Sequence, residues 1–239
     1  MKAPSLVKAG LFTLVFVTTS IISWELYVRN KGFDNSFDDD PSLWADKRAM
    51  IYEPADRATV FIGSSRIKFD LDLDMWENIT GDHPIQLACV GSSPIPVLHD
   101  LANDEKFRGK LVIDITEPIF FSLSPGSSET PNENIAYYKD RTPAQRSGFV
   151  LNKLAEDRFA FLDKDRLSLN ATLINLRIPN RPGVFQFPIF PPDFGRVKFN
   201  RQEYMTDRFL ADTIQQNQVK GIWNFFRSLS KDPPTAGTK

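Results

Sequence analysis

The hydrophobic pattern of the first thirty residues differs from that of the rest of the chain. An apolar run extends from Ala9 to Val28, interrupted by one charge at Glu25, and Lys2 and Lys8 precede it. A helix needs about 20 mostly apolar residues to cross the hydrocarbon core of a bilayer. The run reaches this length if Glu25 lies at the interface, so it predicts a transmembrane helix over residues 9–28.

Two readings of this helix are open. Trp24 and Tyr27 fit the aromatic belt of an uncleaved signal anchor. A cleaved signal peptide is the alternative, because Ser20 and Ser23 are small enough to permit cleavage, although the segment lacks an Ala-x-Ala site. We expect an uncleaved single-pass anchor in the cell membrane. Residues 1–8 would form a cytoplasmic tail, and the body would lie on the extracytoplasmic, periplasmic side.

Beyond the anchor, short apolar runs alternate with helical patterns. Strands are predicted over Thr59–Ile62, Pro84–Val90 and Lys110–Ile115, and helices over Leu71–Ile79 and Pro94–Asn103. This alternation is typical of βαβ units with a parallel sheet. The predicted fold class is therefore α/β, with a parallel sheet of about three strands, flanking helices and one N-terminal transmembrane helix.

The remaining segments divide the chain further. Residues 29–48 predict a linker and residues 49–239 an α/β domain. Within that domain, residues 122–200 predict an irregular insertion, because Ser, Pro, Gly and Asn are frequent there and prolines recur from Pro179 to Pro192. A long helix is predicted over 201–229. The linker carries acidic residues that could bind a cation, but a solvated spacer is the favoured reading; they are Asp34, Asp38, Asp39 and Asp40.

Composition limits the classes of function. A net charge of −1 argues against nucleic-acid binding. A single cysteine, Cys89, excludes an intramolecular disulfide and a zinc site built from several cysteines. We expect no metal and no cofactor, and composition leaves the oligomeric state open.

Two glycine–serine turns follow predicted strands. Gly63-Ser64-Ser65 comes after the first strand and Gly91-Ser92-Ser93 after the second. The carboxyl ends of parallel strands meet at the edge where α/β sheets place their ligands. Ser65 is therefore a candidate nucleophile if a base activates it. The competing reading is that both turns only reverse the chain.

These turns, with the segment Leu111–Phe121, resemble the SGNH/GDSL hydrolase superfamily. The likeness is to its membrane-anchored bacterial branch, which includes D-alanine transfer and alginate-type O-acetyltransferase proteins. It implies a flavodoxin-like sheet and hydrolysis or transfer of acyl esters. By this resemblance Ser65 is the nucleophile. Gly63, Gly91 and Ser92, with the Ser65 amide, would form the oxyanion and substrate site. Independently of the resemblance, Arg66 beside the serine turn is a candidate to bind an anionic substrate, although pairing with a carboxylate such as Asp70 is the favoured reading.

The chain departs from that family in two motifs. Thr116-Glu117-Pro118 stands where the superfamily carries an asparagine, and neither His83 nor His99 lies in an Asp-x-x-His motif. A serine without a base is a weak nucleophile. We therefore expect a truncated reading frame that lacks two further strands and the catalytic histidine.

The sequence thus predicts a membrane-anchored, extracytoplasmic SGNH-like protein acting on envelope glycans. Its reaction would be acyl-ester hydrolysis or O-acyl transfer, and the chain would be truncated or inactive as it stands. Its partners would be the membrane and an envelope polysaccharide or acyl-donor protein. The alternative is a non-catalytic envelope protein that binds glycans or other proteins.

Overall fold

A three-stranded parallel sheet forms the centre of the body. The structure, a computed structural model, describes residues 5–175, 183 and 188–231. Strand β1 (Ala58–Ile62) lies in the middle and pairs in parallel with β2 (His83–Gln86) on one side and with β3 (Lys110–Ile113) on the other. All five residues of β1 are buried, as expected for a central strand covered on both faces. The predicted α/β class and the parallel sheet are confirmed.

Helices surround this sheet along the described chain. In chain order they are α1 (Leu6–Asn30), α2 (Pro41–Ala49), α3 (Ser65–Asp70), α4 (Leu73–Thr80), α5 (Ile95–Ala102), α6 (Glu117–Phe120), α7 (Gly126–Asp140), α8 (Pro143–Arg158), α9 (Lys164–Leu167), α10 (Leu169–Asn175), α11 (Asp207–Ala211) and α12 (Thr213–Lys231). A 3₁₀ turn (Ala160–Leu162) follows α8, and a small antiparallel sheet pairs β4 (Arg196–Val197) with β5 (Glu203–Tyr204).

The segment predicted as a linker contributes to the core. Residues 41–49 form α2, which packs against α7 and β2. Trp44 is fully buried, and its indole Nε1 donates a 3.0 Å hydrogen bond to the Leu87 carbonyl just after β2. Asp40 caps α2 by accepting from the amides of Ser42 and Leu43 at 2.9 Å. Acidic residues and proline in this segment are therefore signals of a helix start rather than of a spacer.

Helix α1 is long and apolar enough to cross a membrane by its length and composition, and its most apolar stretch is not buried by the rest of the chain. Its last turns pack on the body instead. Glu25 accepts hydrogen bonds from the amides of Ala160 (3.1 Å) and Phe161 (3.2 Å), and Val28 is 1% exposed. One side of the last turns of α1 therefore packs on the body through Glu25 and Val28, while Leu26 and Tyr27 stay exposed.

Residues 126–175 are largely helical, although the sequence predicted an irregular insertion over 122–200. Helix α7 includes Pro131 and covers most of the Ser/Pro/Gly/Asn-rich stretch, because it packs against α2 and α5. Residues 176–182 and 184–187 of the proline-rich part lie outside the described residues. The helix predicted over 201–229 is two helices, since the Asp212 carboxylate caps α12 by accepting from the Ile214 amide at 2.8 Å.

Strand β3 is an edge strand of the sheet. It pairs with β1 on one side, and its register places Ile62 opposite Ile113. Val112 is 37% exposed and Ile115, just past the strand, is 48% exposed. The edge position of the third strand is the one expected if β1 is central.

Candidate functional site

The turn after β1 brings Ser65 to the carboxyl edge of the sheet. Gly63 packs closely on the residue that follows β3 and on helix α3. A Cβ at this position would lie 2.9 Å from Asp114 Cβ and 2.9 Å from Ile67 Cγ2. The following residue, Ser64, is 2% exposed, and its hydroxyl has no hydrogen-bond partner among the described residues. Ser65 is the first residue of α3 and is half-buried.

The turn after β2 lies at the same edge and reaches the same cleft. Gly91 has φ +65°, a left-handed conformation that favours glycine. The next two residues bond within the turn. Ser92 Oγ donates to the Val90 carbonyl at 3.2 Å, and Ser93 Oγ accepts from the Ile95 amide at 3.3 Å. The second turn therefore offers its glycine backbone to the cleft, while the Ser92 and Ser93 hydroxyls hold the turn.

Arg66 ties the serine turn to the end of β3. Its Nη2 donates to Asp114 Oδ1 at 2.9 Å and to the Ile115 carbonyl at 2.8 Å. Arg66 therefore pairs with a carboxylate, but the partner is Asp114 rather than Asp70, because the parallel register places Asp114 beside the turn. The Arg66 side chain remains 55% exposed. One face of its guanidinium stays accessible from the cleft.

A cleft of about 1820 Å³ opens beside these turns. Its lining includes Ser65, Arg66, Gly91 and Thr116, so the structure brings together three of the predicted site residues. Gly63 and Ser92 do not line it. Much of the remaining lining is aromatic and contains ring pairs such as Phe190–Phe194, with centroids 5.1 Å apart. The aromatic residues lining the cleft are Phe69, Phe190, Phe194, Phe209, Trp223 and Phe226.

A buried group of charges lies beneath the serine helix. Lys68 of α3 is 0% exposed, and its ammonium donates to Asp39 and, at 2.8 Å, to Glu203. Arg201, 1% exposed, donates to Asp39 Oδ1 at 2.6 Å. Burial alone would raise the pKa of Asp39, but the Arg201 and Lys68 cations hold that pKa at about 2. Asp39 therefore compensates two buried cations.

Arg201 also fixes the strand end that leads to the second turn. Its guanidinium donates to the carbonyls of Gln86 (2.8 Å) and Ala88 (3.1 Å). Arg201 itself has φ +67°, an unusual conformation for a residue other than glycine. The network thus links the segment after α1, the serine helix, the end of β2 and β5.

The acidic segment before α2 is structural in each part. Asp38 pairs with Lys164, Asp39 with Lys68 and Arg201, and Asp40 caps α2. Neither a cation site nor a solvated spacer describes these three residues. No local sequence signal reveals the pairs of Asp38 and Asp39, because their basic partners lie far along the chain, whereas Asp40 before Pro41 is a recognisable helix start.

Neither histidine of the chain lies at the cleft. The chain has two histidines. His83 starts β2, at the opposite end of the sheet, and its Nδ1 lies 2.8 Å from Glu53 Oε1. His99 is exposed on α5. Among the described residues, none forms a hydrogen bond with the Ser65 hydroxyl.

Lys68 has the spacing of a serine–lysine pair, which sequence reasoning overlooked. Ser65 and Lys68 are three residues apart on one helix, as in Ser-x-x-Lys acyl enzymes. A lysine acts as a base only when it is neutral, and the Lys68 ammonium is bound by two carboxylates. Lys68 therefore positions the serine helix rather than accepting a proton.

The geometry offers a serine, a glycine backbone and an arginine at one sheet edge, in a cleft that is also lined by aromatic residues. Comparisons of the chain with models of protein families, with curated proteins and with solved structures gave no match. The functional reading therefore depends on the site itself.

Proposed function

We propose that this chain is a membrane-anchored SGNH-like protein whose cleft binds an acyl ester, with Ser65 as the acyl acceptor. The observation that carries the proposal is the common placement of Ser65, Arg66 and Gly91 along one cleft at the carboxyl edge of a parallel sheet. Backbone amides at Ser65 and Gly91 would stabilise the oxyanion of an acyl intermediate. The reaction would be hydrolysis or O-acyl transfer on an envelope glycan.

The strand order supports a flavodoxin-like arrangement. The observed order β2-β1-β3 matches the first three strands of the 2-1-3-4-5 order. In that arrangement the ligand lies at the switch point between β1 and β3. The bond between Arg66 and Asp114 spans this point, and Ser65 precedes Arg66 in the chain. Arg66 is suited to hold a carboxylate or phosphate group of the substrate there.

Because no histidine lies at the cleft, we expect a low rate of acyl-ester turnover. Removing the base of a serine triad lowers the rate by several orders of magnitude, although binding and oxyanion stabilisation leave some catalysis. We therefore propose that the chain alone is inactive in turnover or very slow, and that it retains a serine able to accept an acyl group.

Acylation of Ser65 can be measured without turnover. Full-length protein in detergent would be incubated with an activated aryl ester, and peptide mass spectrometry would locate the adduct. We expect an adduct on Ser65 that forms faster as the pH rises, because hydroxide replaces the missing base. Ser65→Ala should abolish it. Ser92, which is buried, is the internal control, and equal labelling of Ser92 or continued labelling of Ser65→Ala would overturn the proposal.

The membrane arrangement belongs to the same proposal. We infer an uncleaved anchor with the body on the periplasmic side, supported by the packing of Glu25 and Val28 on the body. A signal peptidase cut after Ser20 or Ser23 would remove most of the apolar helix. Mass determination of protein from membranes tests this. Loss of the first twenty or so residues would contradict the uncleaved anchor.

A non-catalytic glycan-binding protein is the second candidate. The position of both histidines away from the cleft favours it, and the exposed ring of Trp223 (45%) could stack on a sugar. Calorimetric titration of envelope oligosaccharides distinguishes the two functions. Binding that Trp223→Ala weakens, together with no adduct on Ser65, would favour the second candidate.

A further inference from the structure

Hydrogen bonds attach the body to α1. The Glu25 carboxylate accepts hydrogen bonds from the backbone amides of Ala160 and Phe161, which start the 3₁₀ turn after α8. Arg29 Nη2, one turn further along α1, donates to the Arg158 carbonyl at the end of α8 at 3.1 Å. The end of α8 is therefore held at the level where α1 leaves its apolar stretch.

A second set of bonds fixes the same end of α8. Asn35 Nδ2 donates to the carbonyls of Glu156 (2.8 Å) and Asp157 (2.6 Å), and Asn35 Oδ1 accepts from Arg29 Nη2 at 2.9 Å. At about 1.5 Å of rise per residue, Arg29 lies only about 8 Å beyond Trp24 along α1. The carboxyl end of α8 is thus close to the expected membrane surface.

Helix α8 carries an apolar stripe on its free side. Val150 is 54% exposed, Leu151 70% and Leu154 56%, and these positions share one face by their helical spacing. Lys153 lies on another face, with its ammonium 3.7 Å from the centroid of the Phe199 ring in the body. The stripe, defined by Val150, Leu151 and Leu154, therefore points away from the body.

Exposed apolar residues and arginines lie at the ends of the stripe, as in helices that bind at a lipid interface. Phe159 follows α8, and Leu162 lies in the 3₁₀ turn that contacts α1; they are 37% and 36% exposed. Arg146 and Arg158 lie at its two ends, and the Arg158 side chain is 75% exposed beside Asp157. Helices that lie in the membrane interface combine an apolar face with basic flanks, and their apolar face is buried about 5–10 Å deep.

We propose that α8 lies on the lipid surface through the stripe, and that the body is thereby docked against the membrane from which α1 emerges. The inference rests on the proposed membrane anchor. The occupant of the stripe is the headgroup and upper acyl region of a bilayer, argued from the continuity of this surface with α1 and from its basic ends.

Depth-dependent quenching in the full chain tests the proposal. Leu151→Cys and the control Asn152→Cys, which is also exposed but points from the other side of α8, would each be labelled with an environment-sensitive fluorophore. Cys89 is 4% exposed, so wild-type protein supplies the labelling blank. The proteins would be reconstituted in vesicles of zwitterionic and anionic phospholipid that contain nitroxide-labelled lipid.

The Leu151 probe should lose about twice as much emission as the Asn152 probe when the nitroxide is near the headgroup. Equal, weak quenching of both would overturn the proposal. Shielding of Leu151 that follows protein concentration rather than nitroxide would assign the stripe to a second copy instead. A probe at Phe16→Cys reports insertion of α1. Deep quenching there with none at Leu151 would refute the docking alone, whereas no quenching at Phe16 would refute the anchor.

Discussion

Asp39 shows how one acidic residue can decide the stability of a site. It lies between Lys68 and Arg201, both fully buried. Asp39→Asn would leave two buried cations poorly compensated, and we expect a loss of about 3–5 kcal/mol in the free energy of unfolding. Denaturant unfolding measures it. Asp74→Asn, which removes an exposed pair with Lys198, should cost less than about 1 kcal/mol; a similar loss in both variants would contradict the assignment.

The depressed pKa of Asp39 also has a consequence in acid. Its pKa is about 2 in the folded protein, below the ordinary value of 3.8. The ionised carboxylate therefore stabilises the fold above pH 3.8, and this contribution is lost as the pH falls towards 2.

The pKa of Glu156 is shifted in the opposite direction from that of Asp39. Burial and then the nearby Asp38 carboxylate raise the pKa of Glu156 to about 7, from an ordinary 4.5. Because the folded state binds this proton more tightly, the contribution of Glu156 to stability falls as the pH rises from 4.5 to 7. Allowing for solvent screening, we expect a loss of about 1–2 kcal/mol across that window.

Glu156→Gln should remove this pH dependence. Thermal unfolding of wild type and variant between pH 5 and 8 measures it, and the two curves should diverge as the pH rises. A wild-type profile that keeps its slope in Glu156→Gln would show that another group titrates.

At the level of elements, glycine is needed in the two turns for different reasons: close packing at Gly63 and a left-handed backbone at Gly91. Gly63→Ala would place a methyl group 2.9 Å from two side-chain carbons, so we expect a loss of about 1–3 kcal/mol from overpacking. Gly91→Ala would strain a left-handed residue in open space, at about 1 kcal/mol. Gly221→Ala in α12, with nothing within 4 Å, should instead stabilise by up to about 1 kcal/mol.

The order of these three effects is the test. Denaturant midpoints should fall most for Gly63→Ala, less for Gly91→Ala, and rise for Gly221→Ala. If Gly63→Ala were neutral, the close packing of the serine turn on Asp114 and Ile67 would be refuted.

The strands were predictable from sequence because each is a short apolar run, followed by a glycine turn for the first two and by Glu117-Pro118 for the third. The central position of β1 came from the structure. Helix α7 was not predictable, because its composition is that of a loop and its helicity comes from packing on α2 and α5. Tertiary contacts override weak local propensity. Asp39 and Arg201 were unpredictable for the same reason, since 162 positions separate them in the chain.

At the scale of the whole molecule, Glu25 fixes the body to α1, the helix that we propose crosses the membrane. Glu25→Ala would leave the amides of Ala160 and Phe161 unpaired, each costing about 1–3 kcal/mol if it stays buried. We expect the body to rotate more freely, seen as faster anisotropy decay of a label at Asn152→Cys in vesicles. Ser20→Ala, within the exposed apolar stretch of α1, is the control, and equal decay in both variants would contradict a rigid attachment.

The continuity of α1 with the body has a consequence for encounter with ligands. A domain on a flexible tether samples a large volume. With α1 in a bilayer as proposed, a body fixed to that helix would keep its cleft within a thin layer parallel to the bilayer. Donors held in the same membrane would then meet the cleft by diffusion in two dimensions, at a high effective concentration. Molecules free in solution would gain nothing, so under the proposed anchoring the attachment would favour ligands that reside at the membrane.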